Sequence, residues 1–171
     1  MDPLQQKLRM AERLAAITQQ VGFAMWQLQE LESVTAQYFV LLTQAKKGMG
    51  LAVGSALVEK AQTKTFGATI AQVSKAGLVS PELVLRFNNL LAERNWLVHK
   101  SRASSRNAVH NDADMQKLLA RLDIMSEESV SLLRDVGELA ASFVQQHGVS
   151  EAFIEEYANK LLDQWHSADP A

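Results

Sequence analysis

Ser80-Pro81-Glu82-Leu83-Val84-Leu85-Arg86-Phe87-Asn88-Asn89-Leu90-Leu91-Ala92-Glu93-Arg94-Asn95-Trp96-Leu97-Val98-His99 is the stretch that decides the fold of this chain, and it holds the strongest functional clue. Serine before proline, with glutamate in the first turn, is a helix start: the hydroxyl caps orphan N–H groups, and proline brings a fixed φ where no amide is needed. Leu83, Phe87, Leu90, Arg94 and Leu97 then recur at spacings of three and four, with Leu91 and Val98 alongside, which is the period of an amphipathic helix. Arg94 thus falls in the middle of an apolar stripe. A guanidinium does not lose its proton, so one placed there needs either a carboxylate on a neighbouring helix or a phosphate met at an interface or cleft.

His99 adds a second feature. At about 100° per residue it lies about 140° round from Arg94, one turn beyond Asn95 and one turn before Arg102. Asn88, Asn95, His99 and Arg102 form a polar stripe beside the apolar one. A surface histidine without such neighbours is ordinarily just solvated. Here Asn95 can orient the imidazole and the cations can hold a phosphate beside it, an arrangement suited to acid–base work.

Arg94-Asn95-Trp96-Leu97-Val98-His99 resembles the Arg-x(4 to 6)-His signature of the HEPN superfamily, in which a small polar residue often follows the arginine. The stretch from Val21 through Tyr38 is similar to the long first helix of many bacterial members, so the resemblance spans roughly residues 18 to 104. It implies a helical bundle that forms a homodimer, with the motifs of two protomers meeting in one composite cleft. It also implies a metal-independent endoribonuclease of the toxin or phage-defence kind, with RNA as partner. Arg94 would bind phosphate, and His99 would move a proton as the ribose 2′-hydroxyl attacks, with Asn95, Lys100 and Arg102 in support. The alternative within the same resemblance is a catalytically inactive dimer that binds a nucleotide or a protein. An antitoxin or a nucleotidyltransferase-like protein is the implied partner. In one branch that enzyme modifies a tyrosine two residues after the histidine; Ser101 stands there in this chain, which puts that regulation in doubt. A third reading, an all-helical adaptor with no RNA role, is favoured if Arg94 is salt-bridged within one protomer.

Composition sets the frame for this site. A chain of 171 residues with net charge −2 suits a single domain, residues 1–171, and offers no global attraction to nucleic acid. Any RNA contact must come from local charge, and Arg94, Lys100, Arg102 and Arg106 cluster beside His99 and His110. Cysteine is absent, which excludes disulfides and thiolate metal sites. The histidines at 99, 110, 147 and 166 lack ligand-like spacing, so neither a metal nor a cofactor is expected. No stretch approaches the ~20 apolar residues that span a bilayer, and no basic start precedes an apolar run, so the expectation is a cytoplasmic protein without membrane contact.

The rest of the chain reads as helix, with no sheet: an all-α, up-and-down bundle of five to six helices. Pro3 begins a first helix that Gly22 is expected to bend or divide and that runs on to Lys46 and Lys47. Gly48-Met49-Gly50-Leu51-Ala52-Val53-Gly54 reads as a glycine-rich turn, because it lacks a phosphate-cradle spacing, and Ser55 is expected to cap the next helix. Thr65 to Gly77 holds another. The motif helix covers about 80–104 and fades into a serine-rich basic segment up to Asp114, taken as the most mobile part. Helices over about 113–166 follow, divided at Gly148 and with Ser150 capping the last. Met25, Met125, Trp26 and Trp165 are assigned to the core.

Overall fold

A helix of 41 residues, α1 (Pro3–Thr43), is the element against which the others assemble. The structure, a computed structural model, describes residues 2–77 and 79–167, which form seven α-helices and one 3-10 turn, with no strand among the described residues. After α1 come α2 (Leu51–Gln62), α3 (Phe66–Lys75), α4 (Pro81–His99), the single turn α5 (Ser101–Ser104), the 3-10 turn Arg106–Val109, α6 (Asp112–Gln146) and α7 (Glu151–Ser167). The all-α bundle expected from periodicity is therefore what forms.

The chain divides into two compact units, Met1–Val136 and Gly137–Ala171. In the larger one the directions of the long helices follow from their side-chain bonds. Arg13 and Gln20 of α1 meet Asp112 and Asp123 of α6, so these two run parallel. Glu93 and Arg86 of α4 meet Arg121 and then Glu128 and Asp135 of α6, so α4 runs against them. Gln62 bonds Ser33 while Leu57 and Val58 pack on Ala36 and Val40, so α2 folds back along α1. Between the three long helices lies the core: Ala24, Leu28, Leu31, Leu122, Leu132 and Val136 are fully buried, and Phe66 meets Phe87 edge-on at 6.2 Å.

Several local expectations need correction. Gly22 does not divide α1: it is exposed with open space around its Cα, and the helix continues through it. The glycine-rich turn is shorter than expected, since Gly50 at φ 79° ends it and α2 already includes Leu51, Gly54 and Ser55. α1 stops at Thr43, leaving Lys46 and Lys47 outside. Trp26 and Trp165 are 74% and 69% exposed, so neither is core. With Ala24, Leu28 and Leu31 turned inward, the helical period points Trp26 away. Met125 is buried as expected. In α7, capped by Ser150, no residue is buried.

Large-to-small substitution at the centre of this core separates it from the surface of the same helix. Leu132→Ala should lower unfolding free energy by about 3 kcal/mol, whereas Ile124→Ala, at a mostly exposed position, should change it by less than about 0.5 kcal/mol. Urea unfolding of both variants beside wild type checks this.

Candidate functional site at the end of the fourth helix

The start of α4 follows its sequence: the Ser80 hydroxyl accepts from the Leu83 amide at 3.2 Å, with Pro81 in the first position. Its end comes earlier than expected. Lys100 leaves the helical region at φ −128°, so the motif helix stops at His99 and a separate turn, α5, carries Ser101 and Arg102. The Ser101 hydroxyl donates to the Leu97 carbonyl at 2.6 Å, a local bond that competes with helix continuation. Nor is the serine-rich basic segment an open loop. Ala108 is fully buried, and Arg13 donates to the carbonyls of Val109 and His110, which anchors the segment onto α1.

Arg94 lies half-buried between α4 and α1, where its Nε donates to Glu32 Oε1 at 3.1 Å within the same protomer. This is the internal carboxylate partner that its place on the stripe called for. The pairing is thin compared with the other interhelical arginines. Arg121 holds Glu93 through two bonds of 2.7 and 2.9 Å while its guanidinium stacks 3.5 Å from the Trp96 ring. Arg86 grips both Glu128 oxygens, Asp135 and Ser131. These bonds to Glu128 and Asp135 push its pKa above the usual arginine range, so it remains charged at any pH the fold meets. Among the described residues Arg94 makes a single hydrogen bond, and its terminal N–H groups have no partner.

His99 is the last residue of α4 and is exposed, as are Asn95, Lys100 and Arg102. Helix geometry sets Arg94 and His99 about 7.5 Å apart along the axis and about 140° apart around it. Arg94 turns toward α1, and His99 toward solvent. Asn95 and His99, one turn apart, share a face at the end of α4 and Lys100 follows as the cap, while Arg102 turns toward a cleft that it lines with Arg106. From Leu85 onward every exposed residue of α4 before His99 is uncharged: Leu85, Asn88, Asn89, Ala92, Asn95 and Val98. A solvated helix face ordinarily carries charge, so this one has the character of a contact surface.

Three neighbours were missed from the sequence. Glu32 had a signal of its own, an acidic residue beside the stripe of Leu28, Leu31 and Thr35. Trp96 donates through Nε1 to the Ser104 hydroxyl at 3.0 Å, and with Arg121 it ties the turn after His99 to α6. Nothing in the spacing announces that bond. Among the described residues no group of His, Asp and Glu side chains is placed to hold a metal ion, and no helix is long and apolar enough to cross a membrane. No family profile, curated protein or solved structure matches the chain.

The unequal pairing of the arginines has a measurable consequence. Arg94→Leu replaces one bond with packed apolar surface and leaves Glu32 partly solvated, so stability should stay within about 1 kcal/mol of wild type. Arg86→Leu leaves Glu128 and Asp135 facing each other unpaired and should cost about 2 kcal/mol. Thermal and urea unfolding distinguish the two; an equal loss at Arg94 would make that residue a structural strut.

Proposed function

We propose that the protein is a metal-independent endoribonuclease of the HEPN type, working as a homodimer whose two α4 helices meet across their uncharged faces. The observation that carries this reading is the spare hydrogen-bonding capacity of Arg94. Glu32 holds the guanidinium by Nε alone, leaving both terminal nitrogens able to grip a phosphate, whereas Arg121 keeps one terminal nitrogen unbonded and Arg86 bonds through all three nitrogens. A two-fold axis across α4 gathers two sets of Asn95 and His99 into one interface, with Lys100 following each and Arg94 standing on the α1 side of each helix, and so brings together local positive charge that the net charge of −2 does not supply.

The chemistry asked of these groups is proton transfer and charge stabilisation. His99 takes the proton of a ribose 2′-hydroxyl as that oxygen attacks phosphorus, and the same proton or another leaves with the departing 5′-oxygen, giving a cyclic phosphate end. Arg94 and Lys100 offset the charge building on the phosphoryl oxygens, and Asn95, one turn before His99, orients the imidazole. No step requires a metal. The place of such a nuclease in toxin–antitoxin or phage defence, with an antitoxin as protein partner and the cytoplasm as its site of action, belongs to the same proposal.

The divergence of Arg94 and His99 around α4 favours a second reading without catalysis: a silent dimer that binds a nucleotide or a partner protein or, on the Arg94–Glu32 pair within one protomer, an adaptor with no RNA role. RNA incubated with purified protein in chelator separates the two. The nuclease reading expects cleavage with cyclic phosphate ends, reduced by about 100-fold or more in His99→Ala. RNA left intact by the wild-type protein across a broad pH range would leave the binding module. The interface is tested by sedimentation: wild type should be a dimer at tens of micromolar, and Ala92→Arg, which sets two charges against each other across the two-fold, should be a folded monomer.

A further inference from the structure

We infer that the cleft between the first half of α1 and the segment following His99 is a binding site for an organic anion with an aliphatic body, such as a fatty acid or an alkyl phosphate. The cleft has a volume of about 530 Å³, within the range of small-molecule sites. Leu14, Ile17 and Val21 of α1 form one wall, and Val109 and Leu118 close it from the other side. Such surface is costly to leave facing water, and an aliphatic chain is the occupant it fits.

Its polar groups define the rest of the ligand. Arg102 on α5 and Arg106 on the 3-10 turn both line the cleft, and among the described residues neither makes an ion pair or a side-chain hydrogen bond. Arg13, Arg86, Arg94 and Arg121 all hold carboxylates. Two cations beside an apolar wall call for an anionic head. The hydroxyls of Thr18 and Ser101 already donate to backbone carbonyls, at 2.9 and 2.6 Å, which among the described lining hydroxyls leaves Ser105 alone with a free donor for a base edge. No aromatic ring lines the cleft to stack on a base. Both features set an alkyl anion ahead of a nucleotide. Once bound, the head group would join Arg102 and Arg106, on α5 and the 3-10 turn, to an occupant seated on α1, and so fix the segment that follows His99.

The assignment stands apart from the ribonuclease reading, because binding is measured without RNA. The test is isothermal titration of the full chain with decanoate and decyl phosphate below their micelle concentrations, beside inorganic phosphate, 1-decanol and adenosine monophosphate. The decyl anions should bind one per chain, and inorganic phosphate and decanol should each bind at least about tenfold more weakly, since each lacks half of the recognition. Arg106→Gln should weaken decanoate by about tenfold, the loss expected for one partly solvated charge-assisted hydrogen bond. Leu14→Gln, at a half-exposed position, should weaken it similarly with an unchanged thermal melt. Decyl anions that fail to bind, or that bind these two variants as tightly as wild type, overturn the proposal. So does adenosine monophosphate binding more tightly than decanoate, which would assign the cleft to nucleotides.

Discussion

Burial of one apolar face of α1 is the constraint on which the larger unit rests. Ala24, Leu28 and Leu31 lose all contact with solvent, as do Leu122, Leu132 and Val136 of α6, with α2, α3 and the 3-10 turn approaching α1 most closely and α4 and α6 joined to it by side-chain bonds. A helix of this length has no means of hiding its stripe alone, so the long helices must lie along one another. The hydrophobic contact sets how closely they approach. It says little about register, because leucines one turn apart are nearly interchangeable.

Register is set by charge. Arg13, Arg86, Arg94 and Arg121 each reach from one helix to a carboxylate on another, and sliding α1, α4 or α6 by a turn would break at least two of these pairs. Half-exposed pairs add little to net stability, but leaving one charge of a pair alone is costly, and that asymmetry penalises alternative alignments. Arg94 contributes to this alignment with one bond only. The same residue can therefore serve the fold and retain donors for an anion, and its structural and chemical roles draw on different nitrogens.

The parts of the fold legible in the sequence are those written by local chemistry. Ser80 and Pro81 mark the start of α4, Ser150 caps α7, and the three-and-four spacing of leucines locates the long helices, although Ser55, expected to cap α2, lies inside it. Features that depend on distant residues were not legible. The buried face of α1 turns Trp26 outward although aromatic residues in such patterns are usually core. Ala108 and Arg13 order a basic, serine-rich stretch whose composition suggests a loop. At the candidate site, the position of Arg94 on the stripe announced a half-buried partner. Which carboxylate it meets, and how many of its nitrogens remain unbonded, depends on how α1 crosses α4, and spacing within one helix does not contain that.

Gly22 sits exposed and unshielded halfway along an unbroken helix. Glycine lowers the free energy of local opening by about 1 kcal/mol relative to alanine, and no side chain there screens the backbone hydrogen bonds from water. The residues before it, from Leu14 to Val21, wall the cleft, while those after it, from Ala24 onward, belong to the core. The helix thus contains two stretches in different surroundings: amides on the cleft side should exchange with solvent through local opening, and amides on the core side mainly when the bundle itself comes apart. Anything bound in the cleft is held by the more yielding of the two, so its residence time is governed by the breathing of half a helix.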